Sequence, residues 1–488
     1  MIESLNLPRI MRSNKTFLFF VLSVFSVIVL PQIFRDGMFM DGNLYSAVAV
    51  NYARGEGTFW APHFSKETMM LFHEQPPLMF GILGFCFKIF GEHILVERFY
   101  SLFIFLVSLY VFLLIWKNIF PENQTMQGWK WLAVLIWIMI PNTNWAVIHN
   151  LEENTMGLFV LLSVYSQIKI VNEKYPLKYL FSMCAGVTLY LAFITKGFPG
   201  LFPLIFLPLH YSFFRKGSKN SQFYLVNFIA LILVLLLLIS ISFFVEPAST
   251  QLNAWLNDRV LNSIKNVSNT GHRFEIIIDL MMQLLPVFLL FPVLFLVSKI
   301  KKINIILLPN EYKKKALFFL LLAAAGSLPL MITREQRGFY LTTSHPYYAI
   351  FFAIIFSPWF NVLSIENWQG KIKYFLKAVP IFNFFVAIIL MIFLYNVPKG
   401  YTNKWRDIKK ITDMIPYGSY LAYRGDMWND WDLQTGLIRR NYITLTSDTT
   451  KSVYLITDSS QNTNVDSLKY KVIKKDFNYY RLYKKNQP

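Results

Sequence analysis

The feature that most constrains this chain is a series of apolar runs long enough to cross a membrane. A helix needs roughly 20 apolar residues to cross the hydrocarbon core. Only 15% of the residues are charged and 55% are hydrophobic, whereas soluble domains carry about 25% charged residues. These values exclude an ordinary soluble protein. We predict eleven spans near residues 17–34, 99–116, 131–148, 155–171, 178–194, 199–214, 223–245, 278–298, 316–332, 346–363 and 375–397.

The basic residues predict the orientation of these spans. The chain has 47 Lys and Arg against 28 Asp and Glu, a net charge of +19. Most of the basic residues lie between apolar runs, which is typical of cytoplasmic loops and does not indicate nucleic-acid binding. We therefore predict a multi-pass protein of the bacterial inner membrane with a cytoplasmic N-terminus and an extracytoplasmic C-terminus. The residues that define the inner side are Arg215, Lys216, Lys299, Lys301, Lys302, Lys313 to Lys315, Lys371 and Lys373.

The cysteines and the N-terminus exclude two other classes. Cys86 and Cys184 both lie in apolar stretches, and C-x-x-C and zinc-ligand spacings are absent. The sequence therefore predicts neither a disulfide framework nor a zinc site. The first apolar run follows Arg9, Arg12 and Lys15. It is too long for a signal-peptide core and lacks a cleavage site, so we expect an uncleaved first helix.

Two domains are predicted, because the composition changes after Pro398. Residues 1–398 form the membrane domain, with long outer loops at 35–98 and 246–277. Within the first loop, residues 77–90 are apolar but too short to span, which favours an interfacial helix. Residues 399–488 are expected to form a small extracytoplasmic α/β domain. Its predicted strands are 419–424, 442–446, 452–457 and 470–474, and its predicted helices are 404–415 and 430–440.

Charged residues near a membrane are costly, so they are the first candidates for function. Asp41 follows the first span closely, and His73, Glu74 and Gln75 precede a Pro-Pro pair at the start of a short apolar segment. A carboxylate just outside the bilayer can deprotonate an acceptor hydroxyl. Asp before Gly-Asn is equally typical of a helix cap or a turn. From the residues alone, both interpretations of Asp41 remain open.

A second group of candidates follows later in the chain. Glu152 and Glu153 lie at the outer end of the third predicted helix, and Lys196 lies in the sequence Thr-Lys-Gly-Phe-Pro between two apolar runs. Lys196 can hold a phosphate near the membrane face or can simply be a snorkelling lysine. The loop 333–345 adds two arginines and a tyrosine, which suit phosphate and sugar recognition but are also common interfacial anchors. These three residues are Arg334, Arg337 and Tyr340.

The order of these motifs resembles the GT-C glycosyltransferases, in particular the group of protein O-mannosyltransferases and lipid A aminoarabinose transferases (glycosyltransferase family 39). The resemblance covers about residues 41–350. Each motif is weak alone, and the combination is fairly specific. The motifs are Asp41-x-x-x-Tyr45, Asn51-Tyr52-Ala53-Arg54-Gly55, Glu74-Gln75-Pro76-Pro77-Leu78, Phe90-Gly91, Glu97-Arg98, Thr195-Lys196-Gly197-Phe198-Pro199-Gly200, and Tyr340 before His345-Pro346.

The resemblance implies an inverting transfer from a polyprenyl-phosphate sugar to a protein, lipid A or glycan acceptor on the outer face. It also implies that Asp41 is the general base and that Glu74 is a second catalytic residue. Two positions depart from the family, which often has Glu at Gly42 and Lys at Gln75. The candidates for holding the carrier phosphate are then Lys196, Arg334 and Arg337, and we expect Lys196 to be the main contact, helped by Arg334 or Arg337. The other predicted substrate-binding residues are Tyr45, Arg54, His73, Gln75, Glu152, Glu153 and Tyr340.

Three other classes of protein are alternatives. A transporter or flippase of lipid-linked sugars should carry charges within its spans and show a repeat between its halves, and no repeat is visible. A polymer ligase should concentrate its key residues in one late outer loop, and a scaffold would not need Asp41, Glu74 and Lys196. No cofactor is required. A divalent metal held by His73, Glu74 and His272 is an open possibility, and the sugar and the acceptor stay undetermined.

Overall fold

The computed structural model divides the chain into two compact units. The helical unit comprises Met1–Pro31, Ser101–Ile148 and Glu152–Leu390, and the mixed unit comprises Gln32–Tyr100, His149–Leu151 and Met391–Pro488. Lys216, Lys301 and Lys302, which contribute to the predicted orientation, lie outside the described residues. The described residues are 7–173, 176–215, 221–265, 270–300, 308–362, 371–398, 402–460, 465–473 and 477–486.

The helical unit is built almost entirely from the predicted spans. Its elements are α1 (Leu7–Ile33), α4 (Ile94–Ile119), α5 (Gln124–Gly128), α6 (Lys130–Met139), α7 (Pro141–Ile148), α8 (Glu152–Asn172), α9 (Leu177–Lys196), a 3-10 helix (Phe198–Ile205), α10 (Phe206–Phe214), α11 (Ser221–Phe244), α12 (Ala248–Ala254), a π-helix (Trp255–Leu261), α13 (Asn262–Lys265), α14 (Glu275–Ile300), α15 (Asn310–Ser327), 3-10 helices Leu328–Ile332 and Gly338–Thr343, α16 (His345–Val362) and α17 (Lys371–Leu394). Three of these helices, α1, α4 and α17, have one end within the residue ranges of the mixed unit.

These helices confirm a polytopic helical membrane protein. Each of the eleven predicted spans coincides with helix. Within the described residues, eight helices are long and apolar enough to cross a membrane, and the bent pair α6 and α7 raises that number to nine. The two helices meet at 73°, where Pro141 cannot donate the next helical hydrogen bond. The two remaining predicted spans are less typical, since Phe198–Phe214 is short and α16 is not among the eight.

The mixed unit contains the predicted small α/β domain. Its sheet has the strand order β4-β3-β5-β7-β6, in which β4, β3 and β5 are parallel and β7 pairs antiparallel with β5 and β6. Strand β7 is absent from the sequence-based prediction. The elements are α2 (Met40–Arg54), β1 (Gly57–Thr58), β2 (Ala61–Pro62), α3 (Leu78–Phe90), α18 (Thr402–Met414), β3 (Tyr420–Tyr423), α19 (Trp431–Asn441), β4 (Thr444–Thr446), β5 (Tyr454–Asp458), β6 (Tyr470–Val472) and β7 (Tyr480–Lys485).

The core of that domain forms between its two helices and the sheet. Trp405 and Ile408 of α18 pack with Leu433 and Leu437 of α19 and with Leu421 of β3, and all five are buried. Apolar residues spaced three or four apart place one face of each helix against this core. The sequence therefore determines which face of α19 packs against this core. Arg439 and Arg440 lie in the last turn of the same helix and contact other elements.

Helices α2 and α3 pack side by side and run in the same direction. Tyr45 of α2 contacts Phe80 of α3, with ring centroids 5.8 Å apart. Farther along both helices, the Lys88 ammonium lies 4.5 Å from the ring of Tyr52. Both residues of the second contact come later in their helices than the residues of the first contact. The two helices are therefore parallel, and their N-terminal ends lie at the same end of the pair. The connection through β1 and β2 returns the chain to that end.

Candidate active site

Asp41 lies in the first turn of α2 and is not its cap. The cap position belongs to Phe39, which has an extended backbone and no side-chain capping bond of its own. Instead, the Phe39 N–H donates to Nδ1 of His149 at 2.7 Å. His149 therefore satisfies the N–H of the cap residue, and Asp41 is partly exposed in the first turn.

Gly42 allows the same segment to approach α2. A Cβ atom at Gly42 would lie 1.9 Å from the carbonyl oxygen of His149. A larger residue at this position would displace the segment 149–151. Asn150 has a φ of 52°, and its Nδ2 donates to Ser46 Oγ at 3.1 Å. The departure from the family pattern at Gly42 thus has a local structural reason, the close passage of the His149 carbonyl.

His73, Glu74 and Gln75 directly precede α3, at the end of the helix pair where Asp41 lies. His73 and Glu74 are partly exposed, whereas Gln75 is buried. Tyr45 is buried one turn beyond Asp41, against Phe80. The structure therefore places Asp41 in the first turn of α2 and Glu74 in the segment that leads into the neighbouring, parallel helix α3.

Arg54 does not join this group. It lies thirteen residues after Asp41 on the same helix, which corresponds to about 20 Å along the axis. Its guanidinium pairs with Glu92 at 2.6 Å and donates to the carbonyls of Ile438 and Arg440. The predicted substrate-binding role of Arg54 thus has no support from its position.

A second polar group lies within the helical unit. Glu152 and Glu153 begin α8, and Lys196 ends α9. Lys196 Nζ is 2.9 Å from Glu153 Oε1 and 3.4 Å from Glu152 Oε2, and it lies 5.1 Å from the centre of the Tyr340 ring. All three charged side chains are buried. In the structure, the lysine of the Thr-Lys-Gly-Phe-Pro motif therefore pairs with the carboxylates of Glu152 and Glu153.

Gly197 explains the rest of the Thr-Lys-Gly-Phe-Pro motif. Its φ is +86°, and an added Cβ would lie 2.4 Å from the indole of Trp255. That indole stacks on Phe198 with centroids 5.8 Å apart. Only glycine combines the left-handed backbone with this close contact. The motif is therefore a turn that receives an aromatic residue from the second predicted outer loop.

The loop around Arg334 and Arg337 is held by neighbours that the sequence analysis did not identify. Arg259, in the π-helix, pairs with Glu335 at 2.5 Å. Gln336 is buried, and its Nε2 donates to the Arg273 carbonyl at 2.9 Å. The only sequence signal was the position of Trp255 and Arg259 in a long outer loop.

The two predicted arginines differ in their contacts. Arg334 is exposed and donates to the carbonyls of Thr270 and Gly271 at 3.3 and 3.2 Å. Arg337 is also exposed, and within the described part of the chain its guanidinium has no ion-pair partner. Burial raises the pKa of the neighbouring Tyr340 to about 12, so its hydroxyl stays protonated at neutral pH.

The carboxylates of the helical unit outnumber their cation. Glu152 and Glu153 face a single ammonium, and Glu153 Oε2 accepts no hydrogen bond from the described residues. Glu153 also lines a cavity large enough for a water molecule, together with Thr143, Thr342 and Thr343. This group can therefore accept a proton, a water or a cation.

The metal hypothesis gains no support. Among the described residues, no group of three or more His, Cys, Asp or Glu side chains is arranged to hold a metal ion. His73, Glu74 and His272 belong to that searched set. Arginine, lysine and carboxylate side chains remain the charged groups available to the candidate site.

Known proteins resemble the chain in sequence and in fold. Residues 74–239 match a family described as dolichyl-phosphate-mannose-protein mannosyltransferase. Comparison with curated proteins finds no sequence match. ArnT from Cupriavidus metallidurans, bound to undecaprenyl phosphate, is 11% identical with a TM-score of 0.66, and the match covers 96% of this chain and 97% of that one.

A second membrane enzyme shares the fold. The apo oligosaccharyltransferase from Archaeoglobus fulgidus is 11% identical with a TM-score of 0.54, covering 91% of this chain and 69% of that one. The same organism's AglB, in complex with an inhibitory peptide and a dolichol-phosphate, gives 11% and a TM-score of 0.50 over the same shares. Residues 74–239 are therefore similar to a mannosyltransferase family, and the chain has the fold seen in ArnT, the GT-C fold.

Proposed function

We propose that this protein transfers a sugar from a polyprenyl-phosphate carrier to an acceptor on the outer face of the bacterial inner membrane, with inversion. The observation that carries the proposal is that Asp41 lies in the first turn of α2 and Glu74 lies four residues before the parallel helix α3. The family match begins at Glu74. Two proteins with the same fold are bound to undecaprenyl phosphate and to a dolichol-phosphate.

In the proposed reaction, Asp41 removes the proton from an acceptor hydroxyl. The hydroxyl oxygen forms a bond to the anomeric carbon as the bond from that carbon to the phosphate oxygen breaks. The leaving phosphate takes the electron pair, and attack from the opposite face inverts the anomeric centre. Glu74, with His73, Gln75 and the buried Tyr45 nearby, would orient the acceptor or the sugar. The acceptor class, whether protein, lipid A or glycan, remains open.

Fixed cations stabilise a leaving phosphate without a metal. In the helical unit, we propose that Arg334 and Arg337 bind the carrier phosphate. Lys196 is less suited to this role, because Glu152 and Glu153 already compensate its charge. Arg337 keeps an exposed guanidinium, and a planar fork of donors matches phosphate oxygens. Glu152, Glu153 and Tyr340 would then fix Lys196 rather than contact the donor directly.

The general base is tested by Asp41→Asn. Asn has nearly the size and shape of Asp, and it replaces only the basic carboxylate oxygen by an amide nitrogen, so folding should be retained. Because general base catalysis contributes roughly 10²- to 10⁴-fold, transfer by the purified variant should fall at least about a hundredfold. Asp413→Asn is the matched control, since Asp413 is an exposed carboxylate on α18. Normal transfer by Asp41→Asn protein would remove Asp41 from the mechanism.

The orientation is tested separately. We propose that residues 399–488 lie outside the cytoplasm, as the distribution of Lys and Arg indicates. An alkaline phosphatase fusion after Lys485 should be active, and a green fluorescent protein fusion at the same place should be dark. The opposite result would place the tail in the cytoplasm and would contradict a reaction on the outer face.

A further inference from the structure

We propose that the last turn of α19, in the C-terminal tail, holds the helix that carries Asp41 in its working position. Arg439 and Arg440 would act as positioning residues, because they contact segments on either side of α2 and not the reacting atoms. For activity, this inference rests on the proposed function. The contacts that carry it lie entirely within the mixed unit.

The first contact holds the chain just before α2. Arg440 Nη2 lies 2.7 Å from both carboxylate oxygens of Asp36, a buried residue five positions before Asp41. The Asp36 carboxylate also accepts the Gly37 N–H at 2.8 Å. The buried Arg98 donates to the Gly37 carbonyl at 2.6 Å. The turn that leads into α2 is therefore held by two guanidinium groups.

The second contact holds the neighbours of α2. Arg439 forms a fork with Glu97, with Nε to Oε1 at 3.2 Å and Nη2 to Oε2 at 2.6 Å. Its guanidinium also donates to the Glu92 carbonyl at 3.0 Å and lies 4.8 Å from the ring of Phe87 in α3. Glu97 and Arg439 are both buried. Arg439 thus joins α19 to α3 and to the start of α4.

The third contact is at the other end of α2. Arg54, in its last turn, donates to the carbonyls of Ile438 and Arg440 at 3.2 and 3.4 Å. The last carbonyls of a helix lack partners within it, and a cation is favourable there. The same turn of α19 therefore contacts residues at both ends of the helix that carries Asp41. A helix held at both ends cannot rotate or shift without breaking charge-assisted bonds.

This arrangement predicts an effect on turnover rather than on substrate affinity. A misplacement of about 1 Å can reduce a rate by about a hundredfold, since the reacting groups must be aligned. Arg440→Ala removes the contact with Asp36 but leaves α19 and its buried apolar face unchanged. We expect kcat to fall by about 10- to 100-fold with little change in the KM for the donor. Arg440→Lys keeps a positive charge on a differently shaped side chain and should recover part of kcat.

The experiment uses the full chain in detergent with two readouts. Hydrogen exchange of the amides of residues 40–54 reports the order of α2 whether or not transfer can be measured, and kinetics report the reaction. Arg481→Ala is the matched control, because Arg481 is an exposed arginine on β7 of the same domain. A charge swap, Asp36→Arg with Arg440→Asp, should restore part of the protection that Arg440→Ala loses.

Each outcome is decisive. Faster exchange in α2 for Arg440→Ala than for Arg481→Ala supports the inference, even if the wild type transfers no sugar, in which case only the proposed function fails. Equal exchange in the two variants overturns it. In an active wild type, faster exchange with unchanged kcat also overturns the positioning role, since the contact would then be structural only.

Discussion

The two units contain buried charge clusters of opposite sign. In the mixed unit, Arg98, Arg439 and Arg440 meet the two carboxylates Asp36 and Glu97, so cations are in excess. In the helical unit, Lys196 faces both Glu152 and Glu153, so carboxylates outnumber the cation among these three residues. All of these side chains are buried except Arg440, which is partly exposed. The two clusters differ in how the surplus charge is satisfied.

A surplus guanidinium is easily satisfied inside a protein, because backbone carbonyls are abundant and each guanidinium has five donors. Arg98 donates to the Gly37 carbonyl, and Arg439 donates to the Glu92 carbonyl in addition to its carboxylate. A surplus carboxylate instead needs donors or a cation, and Glu153 Oε2 has neither within the described residues. The mixed-unit cluster is therefore suited to holding elements together, and the helical-unit cluster retains capacity to accept a proton or a cation.

The largest expected effect comes from Lys196→Ala. This change leaves two buried carboxylates without their cation, and breaking a buried pair costs about 3–5 kcal/mol of stability. The thermal unfolding midpoint in detergent should fall strongly. The triple variant with Glu152→Gln and Glu153→Gln removes the unpaired charges and should recover most of the loss.

The opposite pattern would contradict this interpretation of Lys196. If Lys196→Ala unfolds like the wild type but needs more donor to reach half-maximal transfer, then Lys196 contacts the carrier phosphate, as the sequence analysis predicted. Arg337→Ala is the comparison for that assay. It removes an exposed guanidinium and should weaken donor use by roughly tenfold without changing the unfolding midpoint.

A smaller effect is expected from Glu97→Gln in the mixed unit. The amide keeps one acceptor for Arg439 but loses the charge, and a hydrogen bond to a charged group contributes about 1.5–3 kcal/mol. Glu311→Gln is the control, because Glu311 forms an exposed pair with Lys315 at 2.8 Å and such pairs contribute about 0.3–0.5 kcal/mol. Equal changes in the unfolding midpoint would mean that the buried fork with Arg439 is not formed.

The smallest effect is expected from Glu152→Gln. It leaves Lys196 with Glu153, the nearer of its two partners, and removes the surplus negative charge. The free energy of unfolding should change by less than about 1 kcal/mol. A loss as large as that of Glu97→Gln would show that both carboxylates are needed to stabilise Lys196, and the contrast between the clusters would then fail.

Much of the fold could be predicted because spans and small domains have local signals. All eleven predicted spans coincide with helix, and the four predicted strands of the tail are present. Helix α2 lacked such a signal, because residues 42–51 are buried on every side and show no apolar stripe. Strand β7, with the sequence YRLYKK, was missed in the same polar tail. Residue type alone identified the candidate site residues in the sequence, but it did not identify the residues that they contact in the structure.

The sequence by itself determined that this chain crosses a membrane repeatedly, because long apolar runs have no other stable place in water. It also indicated a separate polar tail, and it contains the ordered motifs that resemble those of GT-C enzymes. The tertiary structure alone decided which charges meet. Glu97 and Arg439 are 342 residues apart, and Lys196 meets Glu152 and Glu153 because two successive helices turn back at the same level. Buried charges are governed by their neighbours in space, which no local pattern in the chain encodes.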